Sequence, residues 1–289
     1  MAGGYLDGDA DIEEARMRPI DEQTVLVTGA TSGLGRQLVQ RLAAAGTTVV
    51  AHGRDIERLR RARDEICDAA GREVHIIQAD LADLSQVHQL AGEVLDRYPQ
   101  LDALVNNAGV GFGSPGSGRQ VSADGIELRF AVNHLASYLL ARRLADRLVA
   151  SAPARIVQVA SAGQLALDPD DPFTEQDYDG VTAYRRSKLA QVMASFDLAA
   201  DLVGTGVSVN AVHPATFMDT AMVREAGQTP SSSVEEGVDA VWWLLTDPSL
   251  DWVSGHYYEG TKDAQPDPQA DDPAARAWLR RLSDSLIAR

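Results

Sequence analysis

In the stretch "TAYRRSK" (182–188), Tyr184 stands four residues before Lys188. On a helix those two positions share a face, so a phenol would lie in the field of an ammonium. An ordinary surface helix can carry the same pair, and spacing alone does not separate the two cases. What the pair could do is move a proton. A phenol with an ordinary pKa of about 10 is poorly matched to neutral pH. A cation about 4 Å away, at an effective dielectric of ~20, favours the phenolate by about 4 kcal/mol, roughly 3 pKa units at most before desolvation opposes it. Such a group would act as acid in reducing a carbonyl and as base in oxidising an alcohol, given a hydride donor at the carbon. Among other tyrosines, Tyr178 has Thr182 at i+4, Tyr138 has Arg142 within a run that reads as a packing helix, and Tyr257 and Tyr258 fall in the last strand-like run.

A hydride donor needs a seat, and "VLVTGATSGLGRQL" (25–38) offers one. Gly29, Gly33 and Gly35, with Ser32 and Leu34 between them, lie between an apolar run and a helical one. A strand, a tight glycine turn and a helix N-terminus together make a pyrophosphate site, because outward-pointing amides and the helix dipole favour negative charge. The spacing is Gly-x-x-x-Gly-x-Gly. The next strand-like run ends "VVAHGRD", with Gly53 where an NAD-type ribose carboxylate is expected and Arg54 after it. Arginine clamps a 2′-phosphate bidentately while a carboxylate would repel it, so the cofactor expected is NADP(H) rather than NAD(H). Asp55 reads as the N-cap of the following helix.

The elements that must position these residues are legible as an alternation. Apolar, β-rich runs occur at 24–28, 47–52, 73–78, 101–106, 154–161, 206–212 and 254–260, separated by segments of helical period. Two of those helices are expected to close at Gly46 and Gly71. Near-continuously apolar strands alternating with helices imply parallel strands covered on both faces, a doubly wound α/β domain over 21–260. Residues 1–20 read as a mobile acidic leader, 111–120 as a Gly/Ser-rich loop, and 216–237 as a long connection of the lid type. Residues 261–289 read as a Pro/Asp linker and an amphipathic docking helix carrying Trp278, Leu279, Leu282 and Leu286.

Composition removes several classes of function. Net charge is −16 over 289 residues, which argues against nucleic acid or an anionic membrane as partner. Cys67 is the single cysteine, so there is no internal disulfide, and no Cys/His cluster suggests a metal. No apolar run approaches membrane-spanning length, and the start lacks the apolar core of a secretory signal, so a cytoplasmic location is expected.

At this point the chain resembles the short-chain dehydrogenase/reductase family over about residues 22–260. The resemblance rests on "TGATSGLG" (28–35), "NNAG" (106–109), Asn133 in "LRFAVNHLASYLL", Ser161 at the end of the fifth run, and Tyr184-x-x-x-Lys188. The interval between Ser161 and Tyr184, the phrase "ADGIELRFAVNHL" and the tail with Trp278 look more like the retinol-dehydrogenase-like branch. The resemblance implies a Rossmann fold with a seven-stranded, mainly parallel sheet in the order 3-2-1-4-5-6-7. It implies that Tyr184 is the acid/base, that Lys188 also binds the nicotinamide ribose, and that Ser161 hydrogen-bonds the substrate oxygen. It implies that Asn133 holds a water linking Lys188 to solvent, that Asn107, Ala108 and Gly109 shape the floor beside the adenosine, and that Asp80 and Leu81 flank the adenine. After the sixth strand the family commonly has Pro-Gly. Here "HPATFMDT" keeps Pro214, places Ala215 at the glycine, and leaves Thr216 to bond the carboxamide. His213 and His134 read as structural histidines, and Arg185 and Arg186 as solvated faces.

The function expected is an NADP(H)-dependent alcohol dehydrogenase or carbonyl reductase acting on a small-to-medium apolar substrate, given Phe217, Met218, Met222 and Val223 in the lid. A dinucleotide-binding sensor or scaffold, or a redox-assisted epimerase or dehydratase, is the alternative. Family members often form homodimers or homotetramers through the helices bearing Asn133 and Tyr184.

Overall fold

Because both faces of the sheet are covered, its first seven strands are short, largely apolar and parallel. The computed structural model describes residues 16–114 and 116–288. In chain order the main elements are β1 (Thr24–Val27), α1 (Gly33–Ala44), β2 (Thr48–Gly53), α2 (Ile56–Ala70), β3 (His75–Gln78), α3 (Leu84–Arg97) and β4 (Ala103–Asn106). A π-helical turn (Phe130–Leu135) then leads into α4 (Ala136–Ala150), followed by β5 (Ala154–Val159), α5 (Gly180–Asp201), β6 (Val207–His213), α6 (Ala221–Glu225), α7 (Val234–Thr246), β7 (Tyr257–Glu259), β8 (Lys262–Asp263) and α8 (Pro273–Ile287).

The sheet order is β3-β2-β1-β4-β5-β6-β7-β8. Leu26 of β1 stands opposite Val50 on one side and Leu104 on the other. Alternation along the strands feeds two apolar layers. Val25 and Val27 join the layer under α1, α2 and α7, and Leu26 joins the layer under α3, α4 and α5. Between β1 and β4 the chain order reverses, and in such sheets the crevice beyond the strand ends there is where a dinucleotide lies.

Seven strands match the expected order, and β8 is an addition. It pairs antiparallel with β7, Tyr258 opposite Asp263 and Glu259 opposite Lys262. Two exposed polar residues have no apolar alternation to announce them, and the pairing follows from the turn that reverses the chain at Gly260. Of the expected leader, residues 1–15 lie outside the described residues. Arg18 is anchored, its guanidinium bound to the Asp102 carboxylate and to the Ser151 carbonyl at 3.0 Å.

The tail helix α8 docks along α5. Leu279 and Leu286 are buried with Ser283. His134 meets the Ser283 hydroxyl at 2.8 Å and Tyr138 donates to Asp284 at 2.7 Å, so both are structural. The linker before α8 is tied to the loop after β5. Gln269 brackets the backbone of Leu167, and the Asp267 amide donates to the Gln164 side chain.

Candidate active site

The glycine loop is sewn to the segment after β4. The Thr28 hydroxyl accepts from the backbone amides of Asn107 and Ala108, each at 3.0 Å. The Asn107 side chain donates to the carbonyls of Thr28 at 2.8 Å and Gly29 at 3.3 Å. Gly29 has φ +72°, and a Cβ there would stand 2.8 Å from the Ala108 backbone; one on Gly35 would stand 2.3 Å from the Gly29 carbonyl. Any side chain at either position would push the two loops apart. Ser32 is the N-cap of α1, yet its hydroxyl makes no capping bond, so the opening amides of the helix are left for an external acceptor. The residues present therefore fit the phosphates of a dinucleotide. Leu34 is buried in the core.

His52, which the sequence did not flag, braces this loop from below. It is 2 % exposed, with one ring nitrogen 3.0 Å from the Ala79 carbonyl and the other accepting from the Gly29 amide at 3.4 Å. Burial lowers its pKa to about 4, so it is neutral at physiological pH.

At the end of β2, Arg54 is exposed, and its guanidinium has no hydrogen-bond or ion-pair partner among the described residues. Asp55 takes the role of N-cap, accepting from Glu57 at 3.0 Å and Arg58 at 3.1 Å. Asp55→Ala should therefore lower stability by about 1 kcal/mol in urea denaturation, the usual worth of a cap. Beside the glycine loop a cleft of about 290 Å³ is lined by Thr31, Ser32, Gly33, Arg36, Arg58 and Arg61. Arg36 is paired with Glu65, which also lines that cleft, and Arg58 adds to its positive side; neither arginine was singled out from sequence, because arginines on exposed helix faces look alike. Across the crevice Asp80 accepts from the Ala82 amide at 3.0 Å, while Leu81 is 7 % exposed and packs into the core.

At the far end of the crevice lie the four expected catalytic residues. Asn133 sits in the π-helical turn, fully buried, and stitches that turn to two neighbours. It accepts from the Val110 amide at 2.7 Å, and its amide donates to the Val110 carbonyl at 3.0 Å and the Ser187 hydroxyl at 2.9 Å. A π-turn inserted in a helix is a common mark of a functional site. Ser161, just past β5, accepts from the Gly163 amide at 3.0 Å, and its hydroxyl stands beside the Tyr184 phenol. Tyr184 is 9 % exposed, with the Phe112 ring edge-on at 4.5 Å.

Lys188 is held by two buried acceptors beside the Tyr184 ring. Its Nζ lies 6.0 Å from the Tyr184 ring centroid and donates to the Val159 carbonyl at 2.7 Å and to Gln191 Oε1 at 3.0 Å. Burial raises the Tyr184 pKa above its ordinary value and the Ser161 hydroxyl opposes that rise. Burial lowers the Lys188 ammonium to about 7. In this state Tyr184 is a neutral, protonated phenol, the form a proton donor needs.

Pro214 is buried at the end of β6, and Thr216 is exposed with its hydroxyl 3.0 Å from His213 Nε2. His213 is held below its ordinary pKa by burial, with Glu259 raising and Lys188 lowering it. Arg186 is not solvated as expected. It turns inward to the Asp171 carbonyl and the Thr174 hydroxyl, each at 3.3 Å. Among the described residues, no group of three or more His, Cys, Asp or Glu is placed to hold a metal ion, and no helix is long and apolar enough to cross a membrane.

The sequence model of the family described as short chain dehydrogenase matches residues 23–231. The chain is 35 % identical to human retinol dehydrogenase 13, over 95 % of this chain and 87 % of that protein. It is 34 % identical to mouse retinol dehydrogenase 14, over 92 % of this chain and 86 % of that protein. Among solved structures it is similar to Pseudomonas aeruginosa RhlG in its active-site complex with NADP. That match has a TM-score of 0.68 and 28 % identity, covering 84 % of this chain and 97 % of the other. With these likenesses added to the glycine crevice and the Ser161–Tyr184–Lys188 cluster, the chain belongs to the short-chain dehydrogenase/reductase family of oxidoreductases, in its retinol-dehydrogenase-like branch.

Proposed function

We propose that the protein is an NADP(H)-dependent oxidoreductase that interconverts a carbonyl and a primary or secondary alcohol, with Tyr184 as the acid/base. The observation that carries this reading is the buried, protonated Tyr184 phenol beside the Ser161 hydroxyl, at the end of the crevice that the glycine loop opens. When bound, NADPH supplies the hydride that reduces the carbonyl carbon. Ser161 then steadies the charge developing on the carbonyl oxygen, and the Tyr184 Oη proton passes to that oxygen. An alkoxide is a far stronger base than a phenolate, so even a phenol raised by burial gives up its proton to it. In the oxidative direction the phenolate must form first, and the nearby Lys188 charge assists that step.

Preference for NADP(H) is supported by the unpartnered Arg54 and by the absence of a carboxylate at Gly53. Losing a charge-assisted contact to the 2′-phosphate and adding repulsion, Arg54→Asp should move the NADPH:NADH ratio of kcat/KM by about 10- to 100-fold toward NADH. An unchanged ratio would remove Arg54 from the cofactor site. An apolar substrate is supported by Phe217 and Met222, which stay 40 % and 37 % exposed in the connection between β6 and α7, and by relatives named for retinol. The reading is tested by following consumption of NADPH against a panel of apolar ketones and aldehydes, retinal included. Turnover of at least one supports it; tight NADPH binding with no turnover of any would favour the sensor alternative.

A further inference from the structure

Lys188 is 4 % exposed, and its ammonium has three N–H bonds to place. Two are taken, by the Val159 carbonyl and by Gln191 Oε1. Gln191 lies one helical turn on, at i+3, so its side chain reaches the ammonium along the same face of α5. Its own orientation is fixed by a second contact: its amide donates to Gln158 Oε1 of β5 at 3.1 Å. Because that amide must point at Gln158, its oxygen must point at Lys188. Gln191 and Gln158 are 1 % and 2 % exposed, so no water competes for these bonds. On the open side, a Cβ placed on Gly109 would stand 3.7 Å from Nζ, which puts the third N–H beside the segment that floors the crevice.

We propose that Gln191, oriented by Gln158, is a positioning residue that aims the Lys188 ammonium at the crevice and sets how readily it holds its proton. The proposal rests on the reading of Lys188 as part of the catalytic machinery. Both oxygens that meet the ammonium are neutral. A carboxylate in their place would fix Lys188 as a permanent cation and draw it away from Tyr184; an apolar side chain would leave the charge without its second acceptor. The titratable groups that face Lys188 are Tyr184 on its own helix and His213 at the end of β6, with Glu259 of β7 behind His213. From β5 and the π-helical turn the neighbours are Gln158, Val159 and Asn133, which do not titrate.

The chain offers a direct probe. Of its 26 basic residues only Lys188 and Lys262 are lysines, and Lys262 is exposed on β8. Protein labelled with ¹³C at lysine Cε therefore gives two signals, and their pH titration is read without substrate or cofactor. Loss of a hydrogen bond to the charged form disfavours it, so Gln191→Leu should lower the Lys188 midpoint by about one pH unit. Gln191→Glu, which keeps size and shape, should raise it by a unit or more, and Gln158→Leu should lower it by less than Gln191→Leu. The Lys262 midpoint should be constant throughout. Shifts of opposite sign in Leu and Glu are not produced by a merely structural role. An unmoved Lys188 midpoint in folded Gln191→Glu would overturn the proposal, whatever the fate of Gln191→Leu. Since the titration is independent of turnover, the proposal can fail while Tyr184 proves to be the proton donor, and can stand while the redox reading fails.

Discussion

Tyr184→Phe should fold normally, bind NADPH with nearly unchanged affinity, and lose carbonyl reduction by about 10²- to 10⁴-fold, the usual contribution of a positioned acid. The substitution removes one oxygen. The ring keeps its edge contact with Phe112, and the Asn133 bonds to Val110 and Ser187 do not involve the phenol, so packing around the crevice is retained. What disappears is the proton next to Ser161. Cofactor titration by fluorescence and single-turnover kinetics separate the two consequences. Full activity in this variant would assign the proton to another group; equal losses of binding and turnover would make Tyr184 a scaffold residue.

Arg129→Met should destabilise the fold by about 3–5 kcal/mol, the effect of breaking a buried ion pair from one side. Arg129 and Glu127 are each 1 % exposed and lie 3.1 Å apart. The guanidinium also donates to the Tyr178 hydroxyl at 2.6 Å and to the carbonyls of Gly111 at 2.9 Å and Phe112 at 2.8 Å. Without it, Glu127 is a buried carboxylate that keeps only the backbone amides of Arg129 and Phe130 and the hydroxyl of Tyr178. The loop that presses Phe112 on Tyr184 also loses its clamp, so kcat should fall with stability. Urea unfolding gives the first effect. Adding Glu127→Gln to Arg129→Met should recover part of the stability, since the unpaired charge goes with it. No recovery would mean that the loop carbonyls, rather than the carboxylate, dominate.

Much of this arrangement is legible in sequence because it depends on local rules. Glycines at 29, 33 and 35 after an apolar run mark the turn and helix N-terminus, and Asp55 marks the next cap. Strand order follows from the alternation together with the family resemblance. What is hidden depends on long-range partners. Tyr184 and Lys188 share a face by periodicity, but α5 is buried on most sides, so its sequence does not say where Lys188 turns. That direction is set by Val159 and by the pairing of Gln191 with Gln158 of β5, 33 positions away. The available signal is a lone glutamine in the apolar run "LAQVMASF" (189–196), where a polar side chain needs a buried partner. Glu127 and Arg129 are likewise visible as opposite charges inside "GIELRFAV" (125–132), an otherwise apolar run leading to Asn133. Arg54 is the cation that the sequence singles out, whereas the placing of Arg36 and Arg58 beside the glycine loop appears only once α1 and α2 are packed side by side.

The claim on which the rest depends is that this crevice reduces a carbonyl with a hydride delivered to carbon and a proton delivered to oxygen. It is tested most directly with NADPH carrying deuterium at the transferable position and an apolar ketone, in a single turnover analysed by mass spectrometry and NMR. One deuterium on the carbinol carbon, in one stereochemical configuration, with the hydroxyl proton taken from solvent, is the predicted product for the wild-type protein. Alcohol formed without label on that carbon, or label retained entirely by the cofactor while the ketone stays bound and unchanged, would contradict it.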